Sequence, residues 1–110
     1  MNHETILYFS DDDIGTGTGT GAYKASRFMG LDQTGATGAT FYFKNQDWEA
    51  GEENTVAVVF SGSFSDLARG VAGVINSNKA FVTMADSTNS AYFSYNGGML
   101  SGDPVLVQTA

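Results

Sequence analysis

Short runs of β-branched and aromatic residues, separated by turn residues, recur along the chain. The first run covers residues 5–9, and the most regular one covers residues 39–44, where apolar and polar residues alternate. A period of two residues places alternate side chains on opposite faces of a strand. Phe41 and Phe43 are therefore expected to face a core, and Tyr42 on the other side is expected to face water or a partner.

The run at residues 55–60 has a different pattern, because it is almost continuously apolar. Such a run is typical of a central strand that is covered on both faces. Residues 105–107 follow Pro104 and predict either an edge strand or an arm that adds to something else. Strands are also predicted at residues 79–85 and 91–95, and a weaker strand pattern covers residues 22–29.

One segment has the periodicity of an amphipathic helix. Its apolar residues recur every three or four positions and form one stripe. Ser63 is a natural N-cap, and Asp66 three residues later completes an arrangement similar to a capping box. The stripe consists of Phe64, Leu67, Ala68, Val71, Ala72 and Ile75.

The order of these elements predicts an α+β fold. We expect a single, mostly antiparallel sheet of five to seven strands, with one helix packed on one face. If the strands around Val58 and Val82 belong to the same sheet, the helix connects them as a right-handed crossover. The chain of 110 residues is long enough for one core, so residues 1–110 are expected to form one domain.

Two segments are expected to be flexible. Residues 14–21 form the first; from residue 15 to residue 21 glycine and threonine alternate, which leaves no apolar face to bury and much backbone entropy to lose. Residues 102–110 are expected to form a C-terminal arm. Either segment would become ordered when a neighbouring subunit covers it.

Composition and charge exclude several classes of partner. The net charge of −7 argues against nucleic acid and against anionic membranes. No run of apolar residues is long enough for a membrane span, and no secretory signal is predicted, so synthesis in a cytoplasm is expected. The chain contains no cysteine, which excludes disulfides and thiolate metal sites.

Residues with catalytic or ligand-binding chemistry are few. Asp11, Asp12 and Asp13 could contact a cation, but their spacing does not match a calcium loop, and a solvated acidic turn is the simpler interpretation. The glycine-rich residues 17–22 loosely match a dinucleotide fingerprint, but a strand pattern follows where a helix is needed. The only histidine is His3. We therefore predict no enzyme activity and no catalytic, cofactor-binding or metal-binding residues.

Exposed aromatic residues and helix glycines point instead to contact with other proteins. The sheet face opposite the helix is expected to carry Tyr42 with several of the other tyrosines, which are enriched at interfaces. Gly70 and Gly73 are predicted to lie opposite the apolar stripe, as tolerated surface glycines or as a place where a subunit approaches closely. The predicted interface residues are Tyr42, Tyr92, Tyr95, Arg69, Gly70, Gly73, Val105 and Val107; the other tyrosines considered are Tyr8 and Tyr23.

A resemblance to a protein family agrees with this interpretation. Residues 28–34 lead to the aromatic strand at 41–43, followed by an acidic loop, a valine-rich strand, a helix that ends at Asn76, and residues 81–86. This order resembles small virion structural proteins of marine tailed bacteriophages, similar to capsid decoration proteins. The resemblance implies a non-enzymatic subunit located in the virion, with the major capsid protein or other virion subunits as partners and with homo-oligomers expected.

Two alternatives stay open at this point. The same domain could form rings as a tail or connector subunit of a phage particle. From a different class, a small calcium-binding or carbohydrate-binding module could use exposed tyrosines together with Asp11, Asp12 and Asp13.

Overall fold

The computed structural model describes residues 5–10, 20–44, 53–77 and 79–107. These residues form nine strands and one α-helix, and a short 3-10 turn, Ala25–Arg27, separates the second strand from the third. In chain order the elements are β1 Ile6–Ser10, β2 Thr20–Lys24, β3 Phe28–Gln33, β4 Gly38–Lys44, β5 Glu53–Gly62, α1 Phe64–Ile75, β6 Phe81–Asp86, β7 Ala91–Tyr92, β8 Ser94–Tyr95 and β9 Gly98–Val107.

The strands form two sheets. One has four strands in the order β2-β1-β6-β7, and the other has five in the order β3-β4-β5-β9-β8. Neighbouring strands are antiparallel except β1 and β6, which are parallel. The fold is α+β with one helix in the described residues, as predicted, but the expectation of a single sheet is wrong. Val58 and Val82 lie in different sheets, so α1 links the two sheets and is not a crossover within one of them.

The core lies between the two sheets and the helix. Phe9 of β1 lies 5.2 Å from Phe41 of β4 between ring centroids, and Tyr23 of β2 stacks on Phe43 at 4.5 Å. The helix adds its own buried side chains, and Phe64 at its start lies 5.7 Å from Phe60. The four-stranded sheet and α1 thus cover the same face of the five-stranded sheet.

This arrangement confirms one strand prediction and corrects another. Phe41 and Phe43 of β4 are both fully buried, as the alternation predicted. Strand β5 lies between β4 and β9. Its residues Val56 and Val58 are buried, but Val59 is 44% exposed. The prediction that β5 is central is therefore confirmed, and the prediction that both its faces are covered is wrong. Both covering layers pack on the same side of this sheet.

The helix begins where its cap was predicted. The backbone N–H of Asp66 donates to the Ser63 hydroxyl at 3.1 Å. The reciprocal half of the capping box is not formed, because the Ser63 N–H donates to the carbonyl of Gly97 at 2.9 Å. The Asp66 carboxylate instead accepts a hydrogen bond from the Gly97 N–H at 3.0 Å. The turn between β8 and β9 is thereby bound to the first turn of the helix.

The two segments predicted to be flexible are only partly described. Residues 14–19 lie outside the described residues, whereas Thr20 and Gly21 begin β2 and pair with β1. Residues 102–107 belong to β9; residues 105–107 pair with β5, and residues 102–104 lie where that ladder is irregular, so this part of the predicted arm is built into the sheet. Pro104 in this stretch is less than 2% exposed. Residues 108–110 lie outside the described part of the chain.

The strand predicted at residues 22–29 is interrupted in the structure. The 3-10 turn at Ala25–Arg27 ends β2, and β3 begins at Phe28. Ala25 in this turn is buried, and its N–H donates to the carbonyl of Thr5 at 2.8 Å. The interruption lets the chain leave one sheet and enter the other.

Candidate interaction surface

The side of the five-stranded sheet that points away from the core is called the outer face here. Residues paired directly across an antiparallel ladder share a face, so the register assigns its members. Ala57 is the centre of one row, between Thr40 and Val105, and Val59 is the centre of another, between Gly38 and Ser101. The outer face includes Asp32, Gly38, Thr40, Tyr42, Lys44, Thr55, Ala57, Val59, Ser61, Met99, Ser101 and Val105.

Three large apolar side chains of the outer face are exposed to a similar degree. Val59 and Val105 are each 44% exposed, and Met99 is 45% exposed. They lie on the adjacent strands β5 and β9 and form a cluster. Single exposed apolar residues are common on soluble proteins, but contiguous groups mark surfaces that bind a partner.

A shallow depression continues this apolar surface toward the sheet edge. Its lining includes Met29, which is 43% exposed, together with Tyr42 and Asp32. The ladder between β3 and β4 is irregular between Phe28 and Gly30, which is where Met29 lies. Such a bulge redirects a side chain and makes edge-to-edge strand pairing less favourable. The outer face is therefore a better candidate for contact than the β3 edge.

The structure separates the residues that the sequence grouped as an interface. Tyr42 is half-buried on the outer face, and Val105 is exposed there. Val107 pairs through its backbone with Thr55, and its side chain lies outside the described part. Tyr92 lies on β7 in the other sheet, half-buried against the core.

The tyrosines do not share one exposed face. Tyr8 is half-buried on β1 of the four-stranded sheet, with its ring centroid 5.3 Å from that of Phe81. Tyr23 is only 7% exposed and belongs to the core. Tyr95 is 44% exposed but lies beside α1. The tyrosines lie on strands of two different sheets. The sequence alone did not reveal this division.

The two helix glycines have different surroundings. Gly70 is buried, and a Cβ atom built on it would collide with the Cβ of Tyr95 and lie 2.9 Å from Phe93 Cζ. Gly73 is exposed, and a Cβ atom at this position would have nothing within 4 Å. The expectation that both lie on the outward side of the helix is therefore wrong for Gly70, because β8 of the same chain packs on it. Arg69 is exposed.

Replacing glycine with alanine is expected to change the free energy of unfolding in opposite directions at these two positions. Gly73→Ala is expected to raise the free energy of unfolding by about 0.5–1 kcal/mol, because alanine favours helix more than glycine does. Gly70→Ala is expected to lower it by about 1–2 kcal/mol, because overpacking against Tyr95 exceeds that gain. Urea unfolding followed by circular dichroism measures both changes. Equal effects of the two substitutions would contradict the packing of β8 on α1.

Two apolar grooves lie on either side of the helix. The first, of about 340 Å³, lies between α1 and β3, and its single polar lining residue, Asn76, already donates through Nδ2 to the Ala72 carbonyl at 3.0 Å. The second, of about 190 Å³, lies between α1 and β8 and includes Lys79. Both grooves offer mainly apolar contact.

Metal-ligating side chains do not cluster in the described ranges. These ranges contain no group of three or more histidine, cysteine, aspartate or glutamate side chains arranged to hold a metal ion. His3 and the three consecutive aspartates, Asp11 to Asp13, lie outside these ranges, so the solvated acidic turn expected at the aspartates stays a prediction, and the calcium-binding alternative stays open. Across the described residues, no helix has the length and apolar character needed to cross a bilayer.

Comparison with known proteins adds no relative. No protein-family model, no curated protein and no solved structure matches the chain. The resemblance to phage virion proteins therefore stays a prediction.

The apolar outer-face residues Ala57, Val59 and Met99 were not among the interface residues predicted from the sequence. The run at 55–60 is apolar at nearly every position, which hides the two-residue period that would separate an inner from an outer side. A weaker signal was present, because a single predicted helix cannot cover both faces of a large sheet. That signal indicates an uncovered face but not which residues lie on it.

Proposed function

We propose that this chain is a non-enzymatic virion structural protein, a capsid decoration subunit that binds neighbouring shell subunits through its outer face. The observation that supports this is the cluster of Val59, Met99 and Val105, each 44–45% exposed on adjacent strands. An apolar cluster of this kind gains free energy when a partner covers it, at about 25 cal/mol per Å² of apolar area removed from water.

The remaining composition of the outer face suits a protein partner. Tyr42 combines an apolar ring with a hydroxyl that can stay hydrogen-bonded, and tyrosine is enriched at interfaces for this reason. Thr40 and Ser101 are half-buried and supply polar groups beside the apolar cluster. The net charge of −7 disfavours a polyphosphate partner.

The virion is proposed as the setting because of the family resemblance. In that setting the major capsid protein or other virion subunits are the partners. The tail or connector alternative places the same face against subunits of a ring, and copy number distinguishes the two.

The proposal predicts a large effect of Tyr42→Ser on incorporation. In a phage whose genome encodes the chain, purified virions are expected to contain the natural protein, and Tyr42→Ser is expected to reduce its amount at least tenfold because it removes a ring from the outer face. Quantitative mass spectrometry of purified virions measures this.

Tyr8→Ser is the matched control, because Tyr8 is also half-buried but lies in the four-stranded sheet. Its incorporation is expected to stay near the natural level. Absence of the natural chain from virions would refute the proposal, and only a few copies per particle would favour the tail or connector subunit.

A further inference from the structure

We infer that Asn96 is a site of spontaneous covalent modification, in which its side-chain amide is lost through a cyclic imide, and that contact with the start of α1 sets the rate of this deamidation. The reaction consumes water and releases ammonia, so it needs no enzyme and no cofactor. The site lies in the turn between β8 and β9 and is independent of the proposed function.

Asn96 has the neighbour that this chemistry needs. It is the only asparagine of the chain that is directly followed by glycine. Because glycine has no Cβ, its backbone nitrogen meets little steric hindrance when it approaches the asparagine carboxamide. Asn96 and Gly97 are both exposed, so water reaches the site and ammonia can leave it. The following glycine thus distinguishes Asn96 from the other asparagines.

The reaction proceeds by attack of a backbone nitrogen on a side chain. A solvent hydroxide removes the proton of the Gly97 nitrogen, which then forms a bond to Cγ of Asn96. The bond from Cγ to Nδ2 breaks, and Nδ2 takes up a proton from water and leaves as ammonia. Water then opens the cyclic imide at one of its two carbonyl carbons. Opening at Cγ gives aspartate, and opening at the main-chain carbonyl gives isoaspartate.

The start of α1 holds both backbone groups of Gly97. The attacking nitrogen donates its N–H to Oδ2 of Asp66 at 3.0 Å, and the Gly97 carbonyl accepts the N–H of Ser63 at 2.9 Å. A hydrogen bond to a carboxylate is stronger than one between neutral groups. The negative charge of Asp66 also disfavours an anion on the Gly97 nitrogen. The turn therefore has to leave α1 before the nitrogen attacks, and the folded chain reacts slowly.

The isoaspartate product does not fit this turn. Tyr95 pairs with Gly98 across the turn, so only two residues connect β8 to β9, and isoaspartate adds one carbon atom to their main chain. The space is already filled on the helix side, since a Cβ atom at Gly98 would lie 2.6 Å from the backbone nitrogen of Leu67. We expect the isoaspartate form to lose the pairing of β8 with β9, and with it the packing of Tyr95 on Gly70.

The experiment follows the purified chain in mildly alkaline buffer, once folded and once unfolded in urea. Proteolysis and tandem mass spectrometry measure the loss of each side-chain amide. In urea, Asn96 is expected to react roughly tenfold faster than Asn89, which serine follows. In the folded chain, Asn96 is expected to react at least roughly tenfold more slowly than in urea, because the reaction then requires local opening of the turn.

Substitution of Asp66 tests the contact directly. Asp66→Ala removes the carboxylate but leaves the helix cap, because the Ser63 hydroxyl accepts the backbone N–H of Asp66. It is expected to raise the rate at Asn96 in the folded chain by roughly tenfold. Asp66→Asn keeps a neutral acceptor and is expected to raise this rate several-fold. It serves as the test if Asp66→Ala fails to fold, which circular dichroism detects.

Two further variants serve as controls. Asp32→Ala removes an exposed carboxylate on β3, and it is expected to leave the rate at Asn96 unchanged. Gly102→Ala introduces backbone strain on β9 at a φ of +68°. It is also expected to leave the rate unchanged, because it lowers overall stability without removing the hydrogen bond between Asp66 and Gly97.

Each outcome decides for or against this site. A rate at Asn96 in urea no higher than that at Asn89 overturns the inference, as does a folded chain that reacts as fast as the unfolded one. Asp66 variants that fold and react at the natural rate also overturn it. If Gly102→Ala accelerates the reaction as much as Asp66→Ala does, overall unfolding sets the rate and the inference fails. Acceleration confined to the Asp66 variants supports it.

Discussion

Replacing Phe9 with alanine is expected to lower the free energy of unfolding by about 3–5 kcal/mol. Phe9 is fully buried, and its ring centroid lies 5.2 Å from that of Phe41 and 6.2 Å from that of Phe43. It also contacts Tyr23 edge to face at 6.0 Å. Phe9 therefore joins the four-stranded sheet to the five-stranded sheet, and its removal leaves a cavity between them.

The expected loss is large compared with the total stability of a domain of this size, about 5–15 kcal/mol. Urea unfolding followed by circular dichroism measures it. Phe81→Ala is the matched control, because Phe81 is a phenylalanine on the adjacent strand β6 but is 56% exposed. Its expected loss is about 1 kcal/mol or less. Similar losses at Phe9 and Phe81 would contradict the packing of the two sheets.

Gly62→Ala is expected to lower the free energy of unfolding by about 3 kcal/mol or more. Gly62 at the end of β5 has a φ of +83°, which is unfavourable for alanine. A Cβ atom there would also collide with the carbonyl oxygen of Gly97. Because the obstacle is backbone, it cannot move aside as a flexible side chain can, and the turn bound to the helix start would have to shift.

Gly102→Ala separates the cost of backbone strain from the cost of the collision with a neighbouring backbone. Gly102 also has a positive φ, of +68°, but a Cβ atom there would lie at ordinary contact distances of 3.7 and 3.8 Å from Val59. It is expected to cost about 1–2 kcal/mol from backbone strain alone. Thermal unfolding of the two variants compares them. A loss at Gly62 no larger than that at Gly102 would show that the contact with Gly97 does not constrain β5.

Features that are set by residues close together in the sequence could be predicted from it. The helix begins after Ser63 and ends before Asn76 as its periodicity predicted, because capping and the apolar stripe are set within a few residues. The alternation in β4 predicted which side of that strand is buried. These features follow from local geometry and need no knowledge of the rest of the fold.

Positions that depend on distant pairing could not be predicted in the same way. Gly70 looked like an outward-facing helix residue, but Tyr95 packs on it from β8, which follows it by more than twenty residues in the chain. The Asp66 carboxylate accepts a hydrogen bond from the backbone N–H of Gly97, 31 residues away, instead of from the N–H of Ser63. A local pattern contains no information on which later segment returns to cover a helix.

The sequence by itself determined that this chain is an acidic α+β protein with several strands, one amphipathic helix among the described elements, and one strand, β4, whose inward side was predicted. Only the tertiary structure decided that the strands divide into two sheets and that β5 leaves Val59 exposed. The physical reason is that strand propensity and hydrophobic period act over a few residues. Sheet partnership and the choice of the covered face depend instead on the free energy of packing whole layers together.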